Sequence, residues 1–259
     1  ICQIFGDQPV VMAEAARRIE NEGLFGVDIN LGCSNTAICR RNCGAALLKN
    51  PDLATAIVAA VRAAVSCPIT VKYRTGWKDD PHPAVNLAIR FEEAGADALT
   101  FHPRVAPDRR SRPPKSAYIG LVKQAVSIPV FGNGDIFDRN DGMKMITETG
   151  CDGIALGRMA IARPWIFAEF LDTLQTSREL FREAAIQLIQ LLEFHFDPIR
   201  AIKRFKRCSF YFCAHFRFGH ALYTRIVNAV DLSEIETIIE RFFEQSPDIQ
   251  RRPNMNFFK

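Results

Sequence analysis

The chain has no apolar run approaching the roughly 20 residues that cross a bilayer, so no membrane helix is expected. Its opening residues, ICQIFGDQPV, lack the charged flank and cleavage site of a secretory signal, and the cytoplasm is the expected compartment. None of the eight cysteines forms a C-x-x-C pair. Scattered over a large mixed chain in a reducing compartment, they read as free thiols rather than disulfides, and zinc is disfavoured. Acidic residues are absent between Pro198 and Val230, a stretch holding Arg200, Lys203, Arg204, Lys206, Arg207, Arg217 and Arg225. The plain explanation is a solvated helix face. The missing acids, and the aromatics Phe205, Phe210, Tyr211, Phe212, Phe216 and Phe218 among the cations, suit instead a polyanion with exposed bases. Some of those aromatics must still form a local core.

What is present is enough to build a full-sized interior: 259 residues, 48% hydrophobic and 24% charged, allow one large domain or two unequal ones. The net charge of +4 is modest, so its distribution matters more than its size. From residue 1 to about 165, short β-branched runs alternate with helix-like segments. The strand candidates are CQIF, GVDINLG, PITVKYR, DALTFHP, IPVFGNG and DGIALG. Asn50-Pro51 starts a helix with a cap and a first-turn proline, and Gly95 and Gly150 stand where helices stop. Alternating βα units with continuous apolar strands imply a parallel sheet flanked by helices, which either a barrel or an open sheet satisfies.

Polar residues recur at the ends of successive strands: Asn30 and Cys33, Lys72 and Arg74, His102 and Arg104, Asn133 and Asp135, Gly157 and Arg158. Chemistry spread over many strand ends is the habit of the (β/α)8 barrel. The expected fold is therefore α/β, a TIM barrel missing its first two βα units, over residues 1–172. A small all-α domain follows over residues 173–259. Helical periodicity is clear over 182–195 and 232–243, and the tail from Ser246 onward reads as irregular.

Asn133-Gly134-Asp135 and Gly157-Arg158 follow the last two strands. Glycines there let backbone N–H groups approach a phosphate, and arginine adds directed donors; taken singly, such glycines merely make turns. Lys72 alternates with Val71 and Tyr73 and so faces away from them. An inward ammonium needs a partner, for which an anionic ligand is the natural candidate. His102 has the same position, although a lone histidine is more often structural. Cys33 follows Asn30 at a strand end. Its residue type allows a proton donor, a nucleophile or a small core residue, because an ordinary thiol, with a pKa of about 8.5, is mostly protonated at neutral pH. Arg40 and Arg41 would favour the thiolate wherever they pack close. Cys39 and Cys43 read as structural.

Taken in order, QIFG, DINLGC, GAALL, TVKYRTGW, FHPR, IPVFGNGDI and CDGIALGRMAIARPWIF resemble the tRNA-dihydrouridine synthase family, most closely its bacterial B-type branch. The resemblance implies an FMN-binding barrel, a helical domain that grips tRNA, and NADPH-driven reduction of uridine to 5,6-dihydrouridine. It implies that Cys33 is the proton donor and that Asn30 positions flavin or uracil. Gln3, Lys72 and His102 would contact the FMN ring or ribityl chain; Asn133, Gly134, Asp135, Gly157 and Arg158 would hold its phosphate. Arg74 and Arg104 would face RNA or flavin, and Arg200, Lys203, Arg204, Lys206 and Arg207 would bind RNA. A monomer without metal is expected. Ser34 stands where the family has proline after the cysteine, and Pro103 where it has glycine after the histidine. The family's first strand, which covers the flavin, is expected to be missing, so weak FMN binding or none is anticipated. The alternative is a catalytically inactive remnant that retains RNA binding.

Overall fold

Parallel strands alternate with helices through the first half of the chain. The computed structural model describes residues 1–108 and 112–258. In order, β1 (Cys2–Ile4), α1 (Pro9–Asn21), β2 (Val27–Leu31), the short α2 (Thr36–Cys39), α3 (Pro51–Ala64), β3 (Ile69–Gly76), α4 (His82–Glu93), β4 (Ala98–Val105), α5 (Ala117–Ala125), β5 (Val130–Asn133), α6 (Arg139–Thr149) and β6 (Gly153–Ala155) follow one another. The six strands form one sheet in sequential order β1-β2-β3-β4-β5-β6, with every neighbouring pair parallel. A doubly wound sheet would reverse its strand order part-way. The unbroken order is the winding of a TIM barrel, which resolves the choice that the strand pattern left open. All six anticipated strands form, as do the helix stops at Gly95 (φ 94°) and Gly150 (φ 69°), where a left-handed backbone favours glycine.

One face of the sheet is oil. Ile29, Leu31, Val71, Tyr73, Leu99, Phe101 and Val130 are buried at 1% exposure or less. Tyr73 meets the rings of Phe91 and Phe101 at 5.5 and 4.9 Å, and its hydroxyl donates to the Ala84 carbonyl at 3.2 Å. Intervening residues turn to the other face and are half-buried: Asp28, Asn30, Thr70, Lys72, Arg74, Thr100, His102 and Asn133. The period of two thus sorts apolar from polar with few exceptions.

Carboxylates tie down the amino ends of the strands. Glu20 accepts from the Ser66 and Cys67 N–H groups at 2.7 and 2.8 Å, Asp97 from Ile69 at 2.7 Å, and Asp152 from Val130 at 2.8 Å. Glu92 does the same for Ser127 and Ile128. Hydroxyl donation from Ser66 and Ser127 leads the causes that hold Glu20 and Glu92 below the usual carboxylate range. In a barrel this end serves stability, while chemistry gathers at the carboxyl ends.

The second half is helical: α7 (Arg158–Ala162), α8 (Ile166–Phe170), α9 (Arg178–His195), α10 (Pro198–Cys213), α11 (Gly219–Asn228) and α12 (Leu232–Glu244). Side-chain caps start the long ones: Ser177 accepts from Leu180 N–H at 3.1 Å, Asp197 from Arg200 at 3.0 Å and Asp231 from Glu234 at 2.8 Å. Phe181 lies at the centre of this unit, with Trp165, Phe212 and Phe216 at ring distances of 4.8 to 5.8 Å. The tail after Ser246 has little regular structure yet is pinned, with Gln250 and Asn254 N–H groups donating to His215 and Ala214 carbonyls. By backbone contacts the chain divides into 1–135 with 140–155, and 136–139 with 156–259. Residues 156–172, which the sequence pattern grouped with the strands, fall in the second of these units, where Trp165 packs edge-on against Phe181.

Candidate active site

The polar face of β1, β2 and β3 carries a continuous hydrogen-bond chain. Thr70 Oγ1 donates to Asp28 Oδ1 at 2.6 Å, and Gln3 Nε2 to Asp28 Oδ2 at 2.5 Å. Asn30 Nδ2 donates to Gln3 Oε1 at 2.7 Å. Asn30 Oδ1 then accepts from the Gly32 and Cys33 N–H groups at 3.0 and 2.9 Å. Asn30 therefore fixes the turn on which Cys33 stands. The strand register puts Gln3 beside Asp28, Asn30 beside Lys72, and Arg74 beside His102.

Two cations share this face. Lys72 is half-buried and makes no hydrogen bond or ion pair among the described residues. Burial first, then the Arg74 charge, pushes its ammonium below the usual lysine range, while Asp28 and Cys33 act the other way. Arg74 is likewise depressed by burial and by Arg104, against the opposing influence of Cys33 and Cys39. Its Nε and Nη1 are buried with no hydrogen-bond partner among the described residues. Arg40 and Arg41 are exposed.

At the next strands, Gly134 (φ 129°) turns the chain against His102, where an added Cβ would stand 3.0 Å from His102 Cδ2. Only glycine makes that approach without strain. Asn133 Nδ2 donates to the Ala155 carbonyl at 2.7 Å, bridging β5 and β6. Asp135 is paired with Arg104 at 3.0 Å, and the Arg104 side chain is 4% exposed. Arg104, expected to face RNA or flavin, is so buried and paired that its guanidinium braces the turn after β5 and is not an exposed RNA contact. Gly157 and Arg158 belong to the second unit, where they start α7.

In the helical unit, Arg200, Lys203, Arg204 and Arg207 of α10 are exposed. Arg200 pairs with Asp197 at 3.2 Å, and Arg204 lies 4.2 Å over the Phe196 ring. Lys203 and Arg207 have no ion pair among the described residues. Lys206 departs from expectation: its ammonium donates to the Ala229 carbonyl at 2.7 Å, closing the carboxyl end of α11, where a cation complements the helix dipole. Of the interleaved aromatics, Phe205 and Phe216 are core, whereas Phe218 is 76% exposed with the Arg217 guanidinium 5.2 Å away.

Sequence reasoning missed Asp28, Thr70 and Trp77. The first two stand two residues before Asn30 and Lys72, so the period of two would have put them on the same face. Trp77 follows β3 and gave no signal of its own. Among the described residues no group of three or more His, Cys, Asp or Glu side chains could hold a metal, and no helix is long and apolar enough to cross a membrane.

The family model for dihydrouridine synthase (Dus) matches residues 1–231. The chain is 42% identical over 178 residues to tRNA-dihydrouridine synthase B of Pseudomonas aeruginosa, covering 69% of this chain and 54% of that relative. It is 35% identical over 254 residues to the protein of the same name from Proteus vulgaris, covering 93% of this chain and 77% of that relative. For Yersinia pestis the figures are 36% identity over 251 residues, with 93% and 78% covered. The matches to the relatives from Pseudomonas aeruginosa and Pseudomonas syringae span about half of those proteins' length. Its sheet order, its strand-end residues and this match over most of its length agree: the chain belongs to the dihydrouridine synthase family.

Proposed function

We propose that the chain reduces uridine to 5,6-dihydrouridine in tRNA, with FMN as resident cofactor and NADPH as reductant. The observation that carries this reading is the common face of Cys33, Lys72 and Arg74: a thiol with its peptide clamped, beside two cations short of partners. Desolvated donors with no acceptor are costly. A flat ring edged with carbonyl oxygens, carrying an anionic tail, would satisfy them, so these residues fit the cofactor. The relatives named for tRNA-dihydrouridine synthesis support the same substrate class.

In this reading Gln3, Asn30, Lys72 and His102 hold the ring and ribityl end, and Asn133 and Gly134 the phosphate end. Asp135 contributes through Arg104, since its carboxylate is already paired. FMN, when bound, supplies the hydride chemistry. Lys72 offsets negative charge beside it. Cys33 donates its thiol proton to C5 of uracil, a general-acid role. Arg74 orients the base or its phosphate, and Lys203 and Arg207 of α10 contact the RNA backbone, helping to offset the cost of turning the base out of its stack. Residues 1–172 carry the flavin chemistry and residues 173–259 the RNA contacts.

The test is to incubate residues 1–259 with saturating FMN, NADPH and unmodified tRNA and to quantify dihydrouridine by mass spectrometry. Product is expected, with Cys33→Ala slower by about 10²-fold or more. Absence of product while tRNA still binds would favour the inactive RNA-binding remnant; equal rates for Cys33→Ala would remove the thiol from the chemistry.

A further inference from the structure

The loop that carries Cys33 has Ser34 where the family motif has proline, so its rigidity must come from elsewhere. Its peptide is gripped on both sides. On the N–H side stands Asn30 Oδ1 at 2.9 Å. On the carbonyl side, Cys33 O accepts from Ala45 N–H at 2.9 Å, and from Cys39 Sγ at 3.5 Å. Ala45 lies in a 3₁₀ turn, Gly44–Lys49, whose own position must be set by something. Its carbonyl accepts from the Trp77 indole Nε1 at 2.7 Å, and the Lys49 ammonium caps the Trp77 ring at 3.8 Å. Gly44 makes the close approach feasible. It sits at φ +60°, and a Cβ there would come within 2.6 Å of Cys33 O.

We infer that Trp77 is a positioning residue for Cys33, acting through the relay Trp77 Nε1–Ala45–Cys33 O. Trp77 follows β3 directly, so the strand that presents Lys72 and Arg74 also fixes the thiol opposite them. The relay holds the Cys33 peptide in one orientation while leaving the side chain free to move its proton. That Cys33 matters for catalysis rests on the function proposed above; that Trp77 governs its loop does not.

The substitutions separate the donor from the ring. Trp77→Phe keeps an aromatic face for Lys49 and removes the N–H. Trp77→His restores a donor, because Nε2 of imidazole occupies the same ring position relative to Cβ as the indole Nε1. In the full chain, the rate of Cys33 alkylation by iodoacetamide is read by peptide mass spectrometry from pH 6 to pH 9, with Cys67 and Cys151 as internal controls. Hydrogen exchange of the 30–48 segment is read alongside. Losing one hydrogen bond opens the loop by a factor of about 3 to 10. Trp77→Phe is therefore expected to speed Cys33 alkylation and Ala45 exchange by about that factor, with the controls unmoved and Trp77→His close to the parent. The inference is overturned if Trp77→Phe leaves Cys33 unchanged, or if the controls accelerate equally, which would make the tryptophan merely structural. Should Trp77→Phe change Cys33 reactivity in a chain that makes no dihydrouridine, the functional reading fails and this one stands. A Trp77→Phe protein with parental kcat and parental Cys33 reactivity gives the reverse.

Discussion

The buried imidazole of His215 sets an acid limit on the helical unit. His215 is fully buried, neither ring nitrogen makes a well-formed hydrogen bond among the described residues, and the Phe181 ring lies 5.3 Å away. Burial, aided by the Arg163 charge, pushes its pKa down to about 3. In the unfolded chain a histidine titrates near 6.5. Below pH 6.5 the unfolded state therefore takes up a proton that the folded state refuses. The stability present at pH 7 falls progressively and the loss levels off near pH 3. At pH 4.5, about two units below the unfolded pKa, this costs on the order of 3 kcal/mol. His215→Phe keeps a ring of similar size and removes both the titration and the unpaired nitrogens. The difference in unfolding free energy between pH 7 and pH 4.5, read by hydrogen exchange of α9 and α10 amides, should shrink by about 2 to 3 kcal/mol. The carboxylates common to both proteins cancel in that comparison. An unchanged pH slope would refute the reasoning, because it would mean that His215 finds a proton-accepting environment in the folded state.

Lys72→Met removes a desolvated charge, and should lower FMN affinity by about 10-fold or more while raising thermal stability; flavin fluorescence titration and a melting curve check the two halves. Lys203→Glu with Arg207→Glu should weaken tRNA binding and flatten the slope of log K against log salt by about 1 to 2, by loss of phosphate contacts. Lys206→Ala should instead lower stability and leave that slope unchanged, because its ammonium is spent on the Ala229 carbonyl. Gly44→Ala should destabilise the protein by about 1 to 3 kcal/mol, since it adds a Cβ at positive φ against Cys33 O; denaturant titration measures this.

The sequence showed the sheet well because each strand carries its own signal. In PITVKYR the alternation sends Val71 and Tyr73 to the helices and Lys72 and Arg74 to the opposite face, and the coordinates agree. It showed the site only in part, since hydrogen-bond partners are a property of register. That Gln3 would reach both Asp28 and Asn30 depends on β1 pairing with β2 at Gln3 and Asp28. Ion pairing was less legible still. Arg104 read as a free cation at a strand end, and only the turn after β5 brings Asp135 to it. Basic residues of one helix likewise share a sequence pattern but not a role. Lys206 is turned to a neighbouring helix end, Arg204 to a ring, and Lys203 outward.

A sequence selected for stability alone would not keep the polar sheet face as it is. The apolar face shows what the strands do when only packing is at stake: from Ile29 to Val130 it is nearly free of polar atoms. Across the sheet, Lys72 and Arg74 are desolvated, and the Asp28 carboxylate beside Lys72 is occupied by Gln3 and Thr70. Charges held without partners are normally replaced by well-packed apolar residues at little cost or some gain. Their retention at the carboxyl ends of adjacent strands is a local violation of packing rules, and such violations concentrate where binding or catalysis requires them. The amino ends of the same strands show the contrast. There Glu20, Asp97 and Asp152 are each spent on N–H groups at or just before the strand starts, and charge serves the fold itself.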